Sequence, residues 1–197
     1  MIINCEQRSQ EWYQARTGIP TASSFKKIVD TKGNPSKQRT AYMYQLAGER
    51  VVGCQDDGYQ NGAMQRGVEL EPEAREFYCL KTGLQVEEVG FVRNDDLPVG
   101  ASPDGLVGED GLLEIKCPTL PVMVSYLIKG TLPSEYFQQV QGQLYVTDRK
   151  WCDFLAYYPS MRPFMIRVER DAEFIAKLQA ELKKFCEELD EVTEKIK

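Results

Sequence analysis

Histidine is absent from this 197-residue sequence. That one absence removes Ser-His-Asp triads, Cys-His proteases, histidine-metal nucleases and most zinc enzymes together. Any hydrolytic chemistry must then rest on carboxylates, lysine and a hard metal ion. The six cysteines fall at 5, 54, 79, 117, 152 and 186, too far apart for the CxxC pairs of zinc or redox sites, and read as reduced thiols. No stretch approaches the roughly 18 to 20 uninterrupted apolar residues of a membrane span. The start, MIINCEQRSQ, lacks the basic-then-apolar order of a signal peptide, so a soluble, cytoplasmic protein is expected. Neither an internal repeat nor a linker is visible. With 42% apolar content the chain can bury one substantial core, and a single domain over 1–197 is expected.

Positive charge is also in short supply: 24 Lys and Arg face 30 Asp and Glu, a formal net charge of −6. Phosphate binding draws its affinity from Lys and Arg, so this balance argues at first against DNA. The basic residues are not spread evenly, however. Arg8, Arg16, Lys26, Lys27, Lys32, Lys37 and Arg39 cluster near the start, while acidic residues crowd the middle and the C-terminal segment. A basic lining inside an acidic exterior produces the same arithmetic.

Along the chain, Ser9 precedes a short helical stretch through Arg16, and Thr21 is placed to cap a second helix carrying Phe25, Ile28 and Val29. A loop over Thr31 to Pro35 leads to a helix opened by Ser36, with Tyr42, Leu46 and Val51 on one face. After a polar loop from Gln55 to Asn61, a longer helix is predicted from about Gly62 to Lys81, stopped by Gly83. The texture then changes. LQVEEVGFVRN, LPVGASPDGLV and GLLEIKCP read as three successive strands, separated by Asp, Gly and Pro. Helices follow at about Val122 to Lys129 and Ser134 to Val146, then two more strand-like runs, WCDFLAYYP and PFMIRVER. Leu178, Leu182, Phe185, Leu189, Val192 and Ile196 mark a long amphipathic C-terminal helix, most simply a cover for a sheet. Together these elements predict an α/β domain: a central mixed sheet of about five strands with helices on both faces.

The segment SPDGLVGEDGLLEIKCP carries the clearest chemistry. Residues two apart on a strand share a face, so Glu114 and Lys116 project together while Ile115 points into the core. Asp104 sits at the tip of the preceding predicted strand or turn. Two carboxylates close in space repel and desolvate each other unless a cation joins them. Mg²⁺ prefers such oxygen ligands and lowers the pKa of a bound water, and a neighbouring lysine offsets charge developing on a phosphate. A plainer reading fits the spacing equally: an exposed same-face ion pair and an Asp-Gly turn. Pro-Asp followed by Glu-x-Lys arises by chance in on the order of a few per cent of chains this long. The apolar context of LLEIKCP favours the functional reading, because charges in a buried strand need partners. In RGVELEPEAREFY, Glu69, Glu71, Glu73 and Glu76 are mostly expected to face solvent.

The blocks RTGIPTASSF (16–25), RGVELEPEAREFY (66–78), GASPDGLVGEDGLLEIKCP (100–118), YFQQVQGQLYVT (136–147) and VERDAEFIAKL (168–178) cover much of the chain. In these blocks and their order the sequence closely resembles the phage lambda exonuclease family, the YqaJ-like viral recombinases, within the PD-(D/E)xK nuclease superfamily. That resemblance implies the restriction-endonuclease-like fold. It implies a processive 5′→3′ exonuclease on linear double-stranded DNA that leaves a 3′ single strand for annealing and recombination. It also implies two Mg²⁺ ions, with Mn²⁺ able to substitute. Asp104, Glu114 and the Ile115 carbonyl correspond to ligands of one ion, Glu71 to a ligand of the second, Lys116 to the water-activating lysine and Gln141 to a supporting residue. Arg16, Thr21, Ser23 and Ser102 match a pocket for the 5′ phosphate, which one guanidinium and several hydroxyls can hold without reading a base.

The same resemblance implies a homotrimeric ring threaded by DNA, a single-strand annealing protein as partner, and a phage or prophage origin with function in the host cytoplasm. Two departures stand out: the chain is shorter than the lambda enzyme, and its 55–62 segment lacks the lysine found there before the Glu71 helix. Two other functions fit parts of the pattern, a restriction or junction-resolving endonuclease and a non-catalytic DNA-end-binding protein. Closed circular DNA separates the first from an exonuclease, and nucleotide release on adding Mg²⁺ separates the second.

Overall fold

The computed structural model describes residues 1–55 and 62–197. The polar loop expected from Gln55 to Asn61 therefore lies, beyond Gln55, outside the described residues. A five-stranded mixed sheet forms the centre, in the order β2 (Val86–Glu87), β5 (Gly105–Val107), β6 (Gly111–Lys116), β7 (Trp151–Ala156) and β8 (Phe164–Glu169). All pairs are antiparallel except β6 and β7, which run parallel with Glu114 opposite Phe154. A parallel pair needs a crossover, here supplied by α4 (Leu120–Lys129) and α5 (Phe137–Thr147).

The sheet anticipated from sequence is present, but two of the predicted strands are each divided. LQVEEVGFVRN yields β2 and β3 (Phe91–Arg93), and LPVGASPDGLV yields β4 (Gly100–Ala101) and β5. The first half of one run and the second half of the other join the large sheet. The remaining halves pair with β1 (Ile2–Ile3) in a second, three-stranded antiparallel sheet, β1-β3-β4. The breaks fall at Gly90 and Pro103. At Gly90 the Cys5 backbone approaches so closely that a Cβ would lie 2.3 Å from its carbonyl, and Pro103 cannot donate to a ladder. One side chain ties both crossings: Gln7 Nε2 donates to Val89 O and Pro103 O, each at 2.9 Å.

Along β6 the side chains alternate. Leu113 and Ile115 enter a cluster with Ala74 and Tyr78 of α3 (Gly62–Thr82), while Leu112 joins the larger core on the opposite face. That core is sealed by α6 (Ala172–Ile196), whose Asp171 N-cap accepts from Phe174 N. Leu178, Leu182, Phe185 and Leu189 are fully buried, Val192 partly, and Ile196 is exposed at the last helical position.

At the N-terminal side, α1 (Gln10–Arg16) is capped by Ser9, whose hydroxyl accepts from Trp12 N. Two expected caps differ. The helix after Thr21 is a short 3₁₀ turn, Ala22–Lys27, and the Thr21 hydroxyl lies 3.3 Å from that of Ser23 rather than capping it. The next helix, α2 (Arg39–Val52), begins three residues beyond Ser36, whose hydroxyl instead accepts from Gln38 N in the preceding turn. The N-terminal basic cluster is partly engaged within the chain, Arg39 with Glu188 and Lys27 over the Tyr42 ring. Among the described residues, no helix is long and apolar enough to cross a membrane.

Candidate active site

Glu114 sits in the middle of β6 on the face turned to α5, and only 1% of it reaches solvent. A buried carboxylate must be hydrogen-bonded or paired, and its partners here come from α5 and from β6 itself. Gln143 Nε2 donates to Oε2 at 2.6 Å, Gln139 Nε2 donates to Oε1, and Lys116 Nζ pairs with the same Oε1. Asp104 lies in the turn before β5. Its Oδ2 accepts the Ile115 N–H at 2.6 Å, which anchors it beside β6.

Burial, and then the charge of Glu114, push the Asp104 carboxyl up to about 8. For Lys116, burial alone would depress the ammonium, but the adjacent Glu114 and Asp104 carboxylates outweigh it and hold it above its ordinary value. The two carboxylates thus behave as a crowded pair that gains from a proton or a cation.

A cavity of about 560 Å³ opens beside this pair, lined by Asp104 from its turn, Ile115 and Lys116 from β6, Glu71 from α3, Arg8, and Tyr136. Glu71 reaches it with both oxygens engaged: Arg8 donates to Oε2 at 2.7 Å and Arg75 to Oε1 at 2.8 Å. Tyr136 lies with its ring 5.3 Å from Lys116 Nζ. Among the described residues, no three Asp, Glu or Cys side chains close into a cage for an ion. The donor set nonetheless suits a hard divalent cation, because a carboxylate pair, backbone oxygen and water are how Mg²⁺ is commonly held.

A second polar cluster stands two residues upstream of Asp104. Arg16 is stacked on Trp12, its Cζ 3.9 Å from the ring centroid, and both side chains donate to Ser102 Oγ, at 3.1 and 2.8 Å. Burial lowers the guanidinium to about 10, leaving it charged at neutral pH. Thr21 bridges to Gly100 of β4, and its neighbour Ser23 is exposed. Arg16 with Ser102 and Thr21 with Ser23 therefore form two contacting pairs linked through β4.

Gln141 is the one expected site residue that the fold turns away. Its amide donates to Glu169 O and accepts from Asp171 N, both at 2.9 Å, so it joins β8 to α6. Residues two apart on a helix point in nearly opposite directions, whereas Gln139 and Gln143, one turn apart, share the face toward Glu114. The spacing of these two glutamines was the available signal. No local signal marked Arg8, which meets Glu71 across 63 residues of chain.

A carboxylate pair on adjoining segments of a mixed sheet, with a lysine two residues along the same strand, defines a nuclease of the PD-(D/E)xK superfamily. Within it, the chain belongs to the YqaJ-like viral recombinase family, whose domain matches residues 11–150. Its fold superposes on the crystal structure of an alkaline exonuclease, LHK-Exo, from Laribacter hongkongensis, with a TM-score of 0.88 and 39% identity, over 95% of this chain and 96% of that one. The same enzyme in complex with dAMP matches equally. A phage related exonuclease from Haemophilus somnus 129PT shares the fold at a TM-score of 0.73 and 17% identity, over 91% of this chain and 96% of that one. Protein R354 of Acanthamoeba polyphaga mimivirus is 30% identical over 168 residues, 78% of this chain, and the match spans only 29% of that longer protein.

Proposed function

We propose that this chain is a divalent-cation-dependent exodeoxyribonuclease that degrades one strand of linear duplex DNA in the 5′→3′ direction, starting from a 5′-phosphorylated end. The observation that carries this reading is the convergence of half-buried Asp104 and buried Glu114 at an open cavity rimmed by Lys116 and Glu71. The overall similarity to an alkaline exonuclease supports it.

Asp104, Glu114 and the Ile115 carbonyl would hold one cation, Mg²⁺ with Mn²⁺ as substitute, and Glu71 would hold a second. A cation bound there acts as a Lewis acid and lowers the pKa of a water. Lys116 orients the attacking water and offsets charge that develops on the scissile phosphate. Gln139 and Gln143 fix both oxygens of Glu114, so the carboxylate need not reorganise during the reaction. Tyr136 closes one side of the cavity.

Arg16, Ser102, Thr21 and Ser23 receive the terminal 5′ phosphate. Trp12 pre-orients the guanidinium by stacking, which reduces the entropy lost when the phosphate arrives. Ser102 stands two residues before Asp104, so an anchored 5′ end places the adjoining phosphodiester near the carboxylates. Residues 1–197 act as one nuclease domain, and the product is a 3′ single strand used by an annealing partner in recombination. A homotrimeric ring reconciles an acidic chain with DNA, since only its channel must be basic. A phage or prophage origin, with action in the host cytoplasm, completes this reading, and the viral relative supports a viral source.

Digestion of end-labelled linear duplex with Mg²⁺, beside closed circular DNA, tests the reading. Release of mononucleotides from 5′-phosphorylated ends, with circles untouched, is expected. Linearised circles would instead identify an endonuclease.

A further inference from the structure

Arg8 is held in a backbone conformation that its side chain does not favour. Its φ is +72°, in the left-handed region that costs an L-residue on the order of 1 kcal/mol, and it immediately precedes the Ser9 cap of α1. Such strain persists only where the surrounding structure enforces it, and it concentrates where a side chain must be aimed. Here the conformation carries a guanidinium to the mouth of the catalytic cavity, where it grips Glu71 Oε2 at 2.7 Å.

The two arginines on Glu71 differ in kind. Arg75 lies one turn along the same helix, is largely shielded, and uses its other arm to hold Glu88. It is a fixed part of α3. Arg8 comes from a separate segment, and 42% of its side chain remains open to solvent. A half-exposed ion pair of this sort is weak and readily exchanged. While it persists, however, it covers the oxygen that Glu71 would offer to a cation, and Glu71 does not join Asp104 and Glu114 in a closed ligand set.

We propose that Arg8 is a DNA-phosphate-binding residue parked on Glu71 in the free protein, so that its transfer to a backbone phosphate beside the scissile bond frees Glu71 for the second cation. This rests on the carboxylate site assigned above. A guanidinium bound to one carboxylate oxygen keeps donors free, and a backbone phosphate offers two oxygens of matching geometry. Arrival of the nucleic acid and completion of the cation site thereby become one linked event, and linkage requires each to favour the other.

The test uses the full chain, Arg8→Gln, Glu71→Gln, the double variant and Asp104→Asn. Mn²⁺ binding is measured by calorimetry without DNA, and duplex binding by fluorescence anisotropy without divalent cation over a range of salt. In Arg8→Gln the weaker Mn²⁺ site should tighten by about two- to fivefold, the range expected for removing a partly exposed ionic competitor. Glu71→Gln should lose that site, and the double variant should resemble Glu71→Gln. Duplex affinity of Arg8→Gln should fall, with the logarithmic salt slope reduced by about one, as for loss of one phosphate contact. Unchanged Mn²⁺ affinity in Arg8→Gln, with strong binding still abolished by Asp104→Asn, would overturn the role of Arg8 alone. An unaltered salt slope would overturn its phosphate contact. Mn²⁺ binding indifferent to Asp104→Asn would overturn the site itself.

Discussion

The carboxylate of Asp104 accepts the backbone N–H of Ile115 at 2.6 Å, although the β5–β6 hairpin separates the two residues. This bond fixes Asp104 to the strand that carries Glu114 and Lys116, with no reliance on a bound ion. Asn at position 104 keeps an acceptor for the Ile115 amide but removes the charge. Asp104→Asn should therefore fold normally, lose strong Mn²⁺ binding and lose cleavage by at least about a hundredfold, the scale expected when an electrostatic catalytic group is removed. Lys116→Ala should lose cleavage to a similar degree while still binding Mn²⁺. Calorimetry paired with nucleotide release separates the two, and full activity in the lysine variant would contradict its role.

The α5 glutamines should divide by face. Gln139→Leu and Gln143→Leu leave Glu114 with one donor fewer, so cleavage should fall with modest loss of stability. Gln141→Leu strips Glu169 O and Asp171 N of their partner and should cost about 2 kcal/mol of stability in denaturant titrations, the ordinary penalty for buried polar groups left unpaired. Its intrinsic cleavage rate should be preserved at low temperature. The reverse pattern would restore Gln141 to the active site.

Removing the Arg16 guanidinium should change which ends are accepted. Arg16→Ala should lower the preference for a 5′-phosphorylated over an unphosphorylated end by about ten- to a hundredfold, the worth of one charge-assisted hydrogen-bonded contact. The rate on unphosphorylated ends should change little. Equal losses on both kinds of end would point to a structural role beneath Trp12.

The raised Asp104 gives the cation-free protein a distinct pH response. A carboxyl whose pKa is about 8 when folded and near 4 when unfolded keeps its proton in the folded state. The unfolded chain binds fewer protons between those values, so this group's contribution is fully present below about 4 and is lost as pH rises through about 8. Thermal melts without divalent cation should show declining stability over that window. Cation binding must expel the proton, so Mn²⁺ affinity should increase toward pH 8 and then level off. In Asp104→Asn both trends should flatten, and their persistence would assign them to another group.

The placement of Glu114, Lys116 and Ile115 was legible because a charged pair two residues apart stands out in an otherwise apolar strand, and the stripe from Leu178 to Leu189 announced α6 because that helix has one buried face. A helical stripe loses its contrast when the helix is buried on every side. On α5, Gln138, Gln141 and Gln143 are all buried, so the sequence offers no contrast to tell the face toward Glu114 from the face toward β8, and Gln141 was selected in place of its neighbours. The division of the runs around Gly90 and Pro103 was hidden for a related reason. Punctuation marks a break, but only long-range pairing decides that the two halves enter different sheets. Arg8 meets Glu71 through such long-range packing too, and nothing within several residues of either foretells it.

Anomalous diffraction from crystals of the full chain soaked in Mn²⁺ examines the ion-holding role of Asp104 and Glu114 most directly. A peak bridging the Asp104 and Glu114 carboxylates and the Ile115 carbonyl, with Lys116 displaced from Glu114, is the predicted result. Full Mn²⁺ occupancy elsewhere, with Glu114 still bound only to Lys116 and the glutamines and Asp104 only to the Ile115 amide, would contradict it.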